Sequence, residues 1–232
     1  MELRQIKTVS FGVIGTLIDS ETGVVEWFRR HLRDHDRHQD DATILAAFRD
    51  AVAALERAHP DQSLTALLPR VYAQIARDWE LDTDETAALD FRDSLRDWPA
   101  FPEAASCLRQ LRERYDLAAV TRADRWGMAA MAQTLGDPFA HHVTADSIAP
   151  NTPEHGVWQE LLQAQGCAPH EVLHCSTDAQ RDIASAHAAG LATAWIEPER
   201  HDDEADAAGG VADLHVDSLR ELVASLSATE NE

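Results

Sequence analysis

The chain has 232 residues, with 41 acidic against 20 basic side chains and a formal net charge of −21. That charge argues against nucleic acid or an anionic membrane surface as a partner. No apolar run approaches the roughly 18–20 residues of a membrane helix, and a cytoplasmic location is expected. At 44% hydrophobic, the chain can build one large domain or a core with an insertion. Lys7 is the only lysine. An acidic, lysine-poor surface suits a high-salt interior, where carboxylates keep a protein hydrated, although a high-GC coding bias also exchanges Lys for Arg. Repulsion among the carboxylates predicts lower stability at low salt. Cys107, Cys167 and Cys175 are odd in number and lack metal-type spacing, so they are expected as small buried residues.

Residues 8 to 19 open the chain. Val9, Phe11 and Val13 read as a short buried strand. Gly15 and Thr16 break it with a turn that exposes backbone N–H groups, and such strand ends are where ligands bind in open α/β sheets. Residues 20 to 97 are read as helical. Val24, Val25, Phe28 and Leu32 recur at helical spacing, as do Ile44, Leu45, Phe48, Val52 and Leu55. A third run is Leu64, Leu67, Leu68, Val71, Tyr72, Ile75 and Trp79, and a fourth spans Asp84 to about Leu95 with Thr83 as N-cap. The polar stretch Arg33–Asp41, with His35 and His38, reads as a solvated connector.

From Trp98 onward short strands alternate with helices. Helices are expected over Ala104–Arg114, Arg125–Leu135, Pro153–Gln165, Asp182–Ala189 and Ser218–Leu226. Strands are expected over Leu117–Thr121, His142–Thr144, Val172–Cys175, Ala192–Ile196 and Asp213–Val216. Such alternation means a doubly wound parallel sheet. The expected fold is α/β: a Rossmann-like core from 1–19 and 98–232, with an inserted α-helical cap over 20–97.

The order of elements, the stretch Gly12-Val13-Ile14-Gly15-Thr16-Leu17, the segment Asp97-Trp98-Pro99-Ala100-Phe101-Pro102, Asp124-Arg125, and Asp182-Ile183 before an Ala-rich helix ending Ala189-Gly190-Leu191 together resemble the haloacid dehalogenase superfamily. The resemblance is to its 2-haloacid dehalogenase-like branch, with a helical cap after the first strand. It implies an Asp nucleophile where this chain has Gly12, and glycine has no side chain with which to form an aspartyl intermediate. It also implies a Lys where this chain has Thr152. Its second motif falls on Val120-Thr121-Arg122: the Thr121 hydroxyl keeps the capacity to hold an anion, and Arg122 replaces the usual Asn with a fork of donors suited to a carboxylate or phosphate. Its acidic motif falls on Ser176-Thr177-Asp178-Ala179-Gln180-Arg181-Asp182. There Asp178 and Asp182 are the candidates for Mg²⁺, with weak binding expected because no carboxylate stands at position 12. Asp178 also reads as a carboxylate at a helix N-terminus, and His174 as structural.

The leading functional expectation is a non-catalytic relative. Val13, Ile14, Gly15, Thr16, Thr121 and Arg122 would form a small-anion pocket, and the role would be binding, regulation or partnership. The alternative is an active hydrolase, of 2-haloacid dehalogenase or small-molecule phosphatase type, with a rewired site in which Asp178 or Asp182 activates a water. A structural role, with the helical region as a homodimer or partner surface, is weaker.

Overall fold

The computed structural model describes residues 3–81, 83–148, 156–197 and 211–228. Six strands form one parallel sheet: β1 Thr8–Gly12, β2 Asp116–Val120, β3 His141–Val143, β4 Val172–Ser176, β5 Ala192–Ile196 and β6 Leu214–Val216. Their spatial order is β3-β2-β1-β4-β5-β6. The order therefore reverses between β1 and β4, and in such sheets the crevice beyond the strand ends at the reversal is the place for a ligand.

Both faces of the sheet are covered, so the strands are apolar nearly throughout while their side chains still alternate. Val9 and Phe11 of β1, Leu117 and Ala119 of β2, and Leu173 and Cys175 of β4 point into one large apolar cluster. Ala118 and Val120 of β2 and Val172 of β4 point into a second cluster, with Trp158 and Leu161. Ser10 and His174 are paired across β1 and β4.

Helices α1 Ser20–Asp34, α2 Asp41–Ala58, α3 Leu64–Asp78 and α4 Glu85–Asp93 come between β1 and β2. Each starts on an acceptor side chain, as free N-terminal N–H groups require: Asp19, Asp40, Ser63 and Asp84 accept from the first turns of α1 to α4. Asp84, not Thr83, caps α4, because its carboxylate accepts from Thr86 N at 3.0 Å. The four helices share an aromatic centre, in which the rings of Trp27, Phe28 and Phe91 lie 4.8–5.1 Å apart. This centre is continuous with the first sheet cluster. Gly23 inside α1 makes room for Trp98, since a Cβ there would come within 2.3 Å of the indole.

The remaining helices are α5 Ala104–Arg112, α6 Arg125–Thr134, α7 Gly156–Gln165, α8 Ala184–Ala188 and α9 Leu219–Ala228. One expectation fails in an informative way. The segment read as a helix from Asp182 begins instead with a π-turn over Ala179–Ile183, and α-helix follows only from Ala184. β1 also ends at Gly12, so Val13 is buried beyond the strand. His35 and His38 are exposed in the connector between α1 and α2, as expected. Cys107 and Cys175 are buried, Cys167 is partly so, and all three are free thiols. No described helix is long and apolar enough to cross a membrane.

Candidate functional site

The floor of the crevice lies where β1 ends at Gly12 and β4 ends at Ser176. The Ser176 hydroxyl donates to Asp182 Oδ2 at 2.7 Å and accepts from Asp178 N at 3.1 Å. A Cβ on Gly12 would stand 2.7 Å from both Asp182 Oδ2 and Ser176 Oγ, and 3.2 Å from Ser176 Cβ. The π-turn brings Asp182 back to this point, its two closing bonds running from Asp182 N and Ile183 N to Asp178 O at 3.2 and 3.1 Å. Such one-turn widenings commonly mark functional sites.

Beneath the floor sits His174, wholly buried on the second face of the sheet. Its Nδ1 is 3.0 Å from Ser10 Oγ. Its Nε2 is 3.9 Å from Asp182 Oδ2 and makes no hydrogen bond among the described residues. Burial works to raise the Asp182 pKa, but His174, the Ser176 hydroxyl and the charge of Arg122 outweigh it. The carboxyl therefore lies below its ordinary value and is ionised at neutral pH.

One wall is a set of hydroxyls that already satisfy one another. Thr16 Oγ1 accepts from Thr177 N at 3.1 Å and lies 3.1 Å from Thr177 Oγ1. Thr177 Oγ1 donates to Gly15 O. Thr16 is buried, and Gly15 turns at φ 84°, a conformation natural to glycine. The turn also uses its own amides. Gly15 N donates to Ile18 O at 2.9 Å, and Leu17 N and Ile18 N both donate to Val13 O. Opposite, Thr121 Oγ1 accepts from Ala123 N at 3.2 Å.

The rim is charged. Glu56, near the end of α2, reaches over the crevice to two arginines. Its Oε1 meets Arg122 Nη1 and its Oε2 lies 3.0 Å from Arg181 Nη1. Both arginine side chains are about half exposed, at 50% and 54%, whereas Glu56 is only 19% exposed. Beside this ion pair a second set of contacts holds the helical region against the loop after β2. Leu64 N donates to Arg122 O at 2.9 Å, Ser63 Oγ to Asp124 Oδ2 at 3.4 Å, and Asp124 N to Thr65 Oγ1 at 3.3 Å.

The fold thus brings Gly12, Thr16, Asp182 and, around the rim, Arg122 to one crevice. Thr152 lies outside the described residues. Asp178 Oδ1 accepts from Arg181 N at 2.9 Å as the cap of the π-turn, the helix-terminal role anticipated for it. A magnesium ion wants several oxygen ligands in an octahedral shell. Here one carboxylate caps a turn, the other is bound by a serine and flanked by an imidazole, no third stands at position 12, and both already interact with the positive charge of Arg122. This donor set does not suit the ion. The sequence reading missed Glu56, Arg181 and Ser176. Glu56 sits on an amphipathic helix with no local mark of function. The one advance signal for the others was their place inside the acidic motif.

A parallel sheet with its crevice at the β1/β4 reversal, covered by helices inserted after β1, defines an α/β protein of the haloacid dehalogenase type. The model of the haloacid dehalogenase-like hydrolases matches residues 6–190, and the chain belongs to this family. Among solved structures it is similar to the L-2-haloacid dehalogenase PA0810, with 22% identity, 96% of this chain and 99% of that one covered, and a TM-score of 0.81. It is also similar to the L-2-haloacid dehalogenase from Xanthobacter autotrophicus, with 20% identity, 96% and 98% coverage and a TM-score of 0.78. The defluorinating L-2-haloacid dehalogenase Rha0230 has 21% identity, 96% and 95% coverage and a TM-score of 0.78. At these identities the likeness is one of fold. Comparison with curated proteins by sequence returns no match.

Proposed function

We propose that this chain is a non-catalytic member of its family, in which the crevice at the end of β1 serves to bind a small anion rather than to hydrolyse one. One observation carries the reading. Position 12 has no side chain, and the place where its Cβ would stand is taken by Asp182 Oδ2 and Ser176 Oγ. Covalent catalysis by a carboxylate needs that group at the strand end and free to attack. Two hydroxyls near this point, Thr16 and Ser176, are poorly placed to attack: they are buried, at 3% and 1% exposure, and both are hydrogen-bonded within the fold. The Xanthobacter dehalogenase has been solved with chloropropionic acid covalently bound, which makes a halopropionate the natural substrate to try.

The test is hydrolysis of p-nitrophenyl phosphate and of 2-chloropropionate, in high salt, with and without Mg²⁺. The native protein is assayed beside the Gly12→Asp, Thr152→Lys double variant. No turnover by the native protein is expected. Turnover at an enzyme-like rate, abolished by Asp182→Ala, would overturn the reading in favour of a rewired hydrolase that uses Asp182 on a water.

A further inference from the structure

Glu56 is the unexplained group of this site. It belongs to the helical region, yet its carboxylate ends in the crevice with one oxygen on Arg122 and the other on Arg181. A carboxylate gripped oxygen by oxygen between two guanidinium groups is how proteins recognise a carboxylate ligand. We propose that Arg122 and Arg181 form a carboxylate-binding fork whose resident occupant is Glu56, and that a small free carboxylate enters by displacing it. This rests on the anion-binding reading above and names its ligand class and its gate.

Three features support displacement over a permanent tie. Both arginines are half exposed, so a solute can reach their guanidinium groups although the Glu56 carboxylate between them is only 19% exposed. The helical region does not depend on Glu56 for its position at the crevice, because Leu64 N–H to Arg122 O and the Ser63 and Thr65 contacts with Asp124 hold it there independently. The Glu56 side chain can therefore swing away while the walls stay put. Finally, the acidic groups below the fork are engaged elsewhere: Asp178 caps the π-turn, and Asp182 is held by Ser176 with His174 behind it. Once Glu56 leaves, the two guanidinium groups lack a matched partner at the rim, and a small carboxylate restores it.

A site occupied by its own side chain binds a competitor in proportion to the fraction of time it is open. Removing the Glu56 charge should therefore tighten binding without new contacts. The experiment is calorimetric titration of the folded full chain with propionate, and separately with inorganic phosphate, at fixed ionic strength. The proteins are the native chain, Glu56→Gln, Glu56→Asp and the double variant Glu56→Gln, Arg122→Gln. Glu56→Gln should bind propionate about tenfold or more tightly than the native chain. Glu56→Asp, whose shorter side chain reaches less well, should fall between, and serves if the Gln variant does not fold. The double variant should lose the gain. Equal affinity in the native chain and Glu56→Gln, or a gain that survives loss of Arg122, overturns the proposal, and a gain for phosphate alone overturns the choice of carboxylate. Turnover in the hydrolysis assay bears on catalysis only and leaves the competition between Glu56 and propionate to be read separately.

Discussion

The floor and the rim of the crevice obey different physics. The floor is Gly12, Ser176, Asp182 and His174. Gly12, Ser176 and His174 are buried while the Asp182 side chain is 31% exposed, and the geometry is set by strand ends and a π-turn. The rim is Arg122, Glu56 and Arg181, built from long side chains of three elements; the two arginines are half open to solvent, while Glu56 is only 19% exposed. In the floor the space beside Gly12 is filled by Asp182 and Ser176, so change there is a steric and desolvation problem. At the rim the same chemical types, carboxylate and guanidinium, form a contact that solvent, salt and solutes can exchange.

The largest effect should come from refilling the floor. Gly12→Asp forces Asp182 and Ser176 apart and adds a carboxylate beside an ionised one, and should cost about 2–4 kcal/mol in urea unfolding. Gly12→Ala isolates the steric part and should cost about 1–2 kcal/mol. If Asp at position 12 is accepted without loss, the floor is as yielding as the rim and the contrast fails.

Next comes Asp182→Asn, which should cost about 1.5 kcal/mol at neutral pH through a weaker bond to Ser176. Its pH dependence has a definite sign. The folded pKa of Asp182 is held below its ordinary value of 3.8, so its ionised form favours the fold. That contribution is complete above the unfolded value and is lost as pH falls through the folded one. Native and Asp182→Asn stabilities should therefore converge below about pH 4. A constant gap across that range would mean that the charge of Asp182 is not what the floor uses.

The smallest effect belongs to the rim. Glu56→Gln should change stability by about 1 kcal/mol or less. Salt then sharpens the comparison. Added salt should raise the stability of a chain carrying a charge of −21 and shrink the difference between native and Glu56→Gln, while the Asp182→Asn difference persists. Unfolding series at low and high salt measure all three proteins.

Most of the fold was readable in advance because it depends on local pattern. The apolar face of α3, from Leu64 to Ile75, and the short β-branched or alanine-rich strands declare their period wherever they occur. Alternation of strand and helix then implies a parallel sheet, and the run of four helices after β1 an insertion. Helix ends were less exact, as the caps on Asp84 and Ser218 illustrate, because several neighbouring polar residues can each cap a turn.

The residues along the crevice were readable only where a motif marked them: Gly12 by its frame, Thr121 and Arg122 by the strand they follow, Asp178 and Asp182 by their spacing. Sequence by itself determined that position 12 carries no nucleophile, since that is a matter of covalent chemistry. Tertiary structure alone decided what stands beside Gly12 and what faces the arginines. Asp182 reaches Gly12 through a π-turn that adds one residue to the loop, and no periodicity distinguishes that turn from the start of an α-helix. Glu56 meets Arg122 and Arg181 across 66 and 125 residues of chain, on a helix whose own pattern says only which side faces the core. Such pairings depend on how separate elements are laid against one another, and that is settled by packing over the whole molecule.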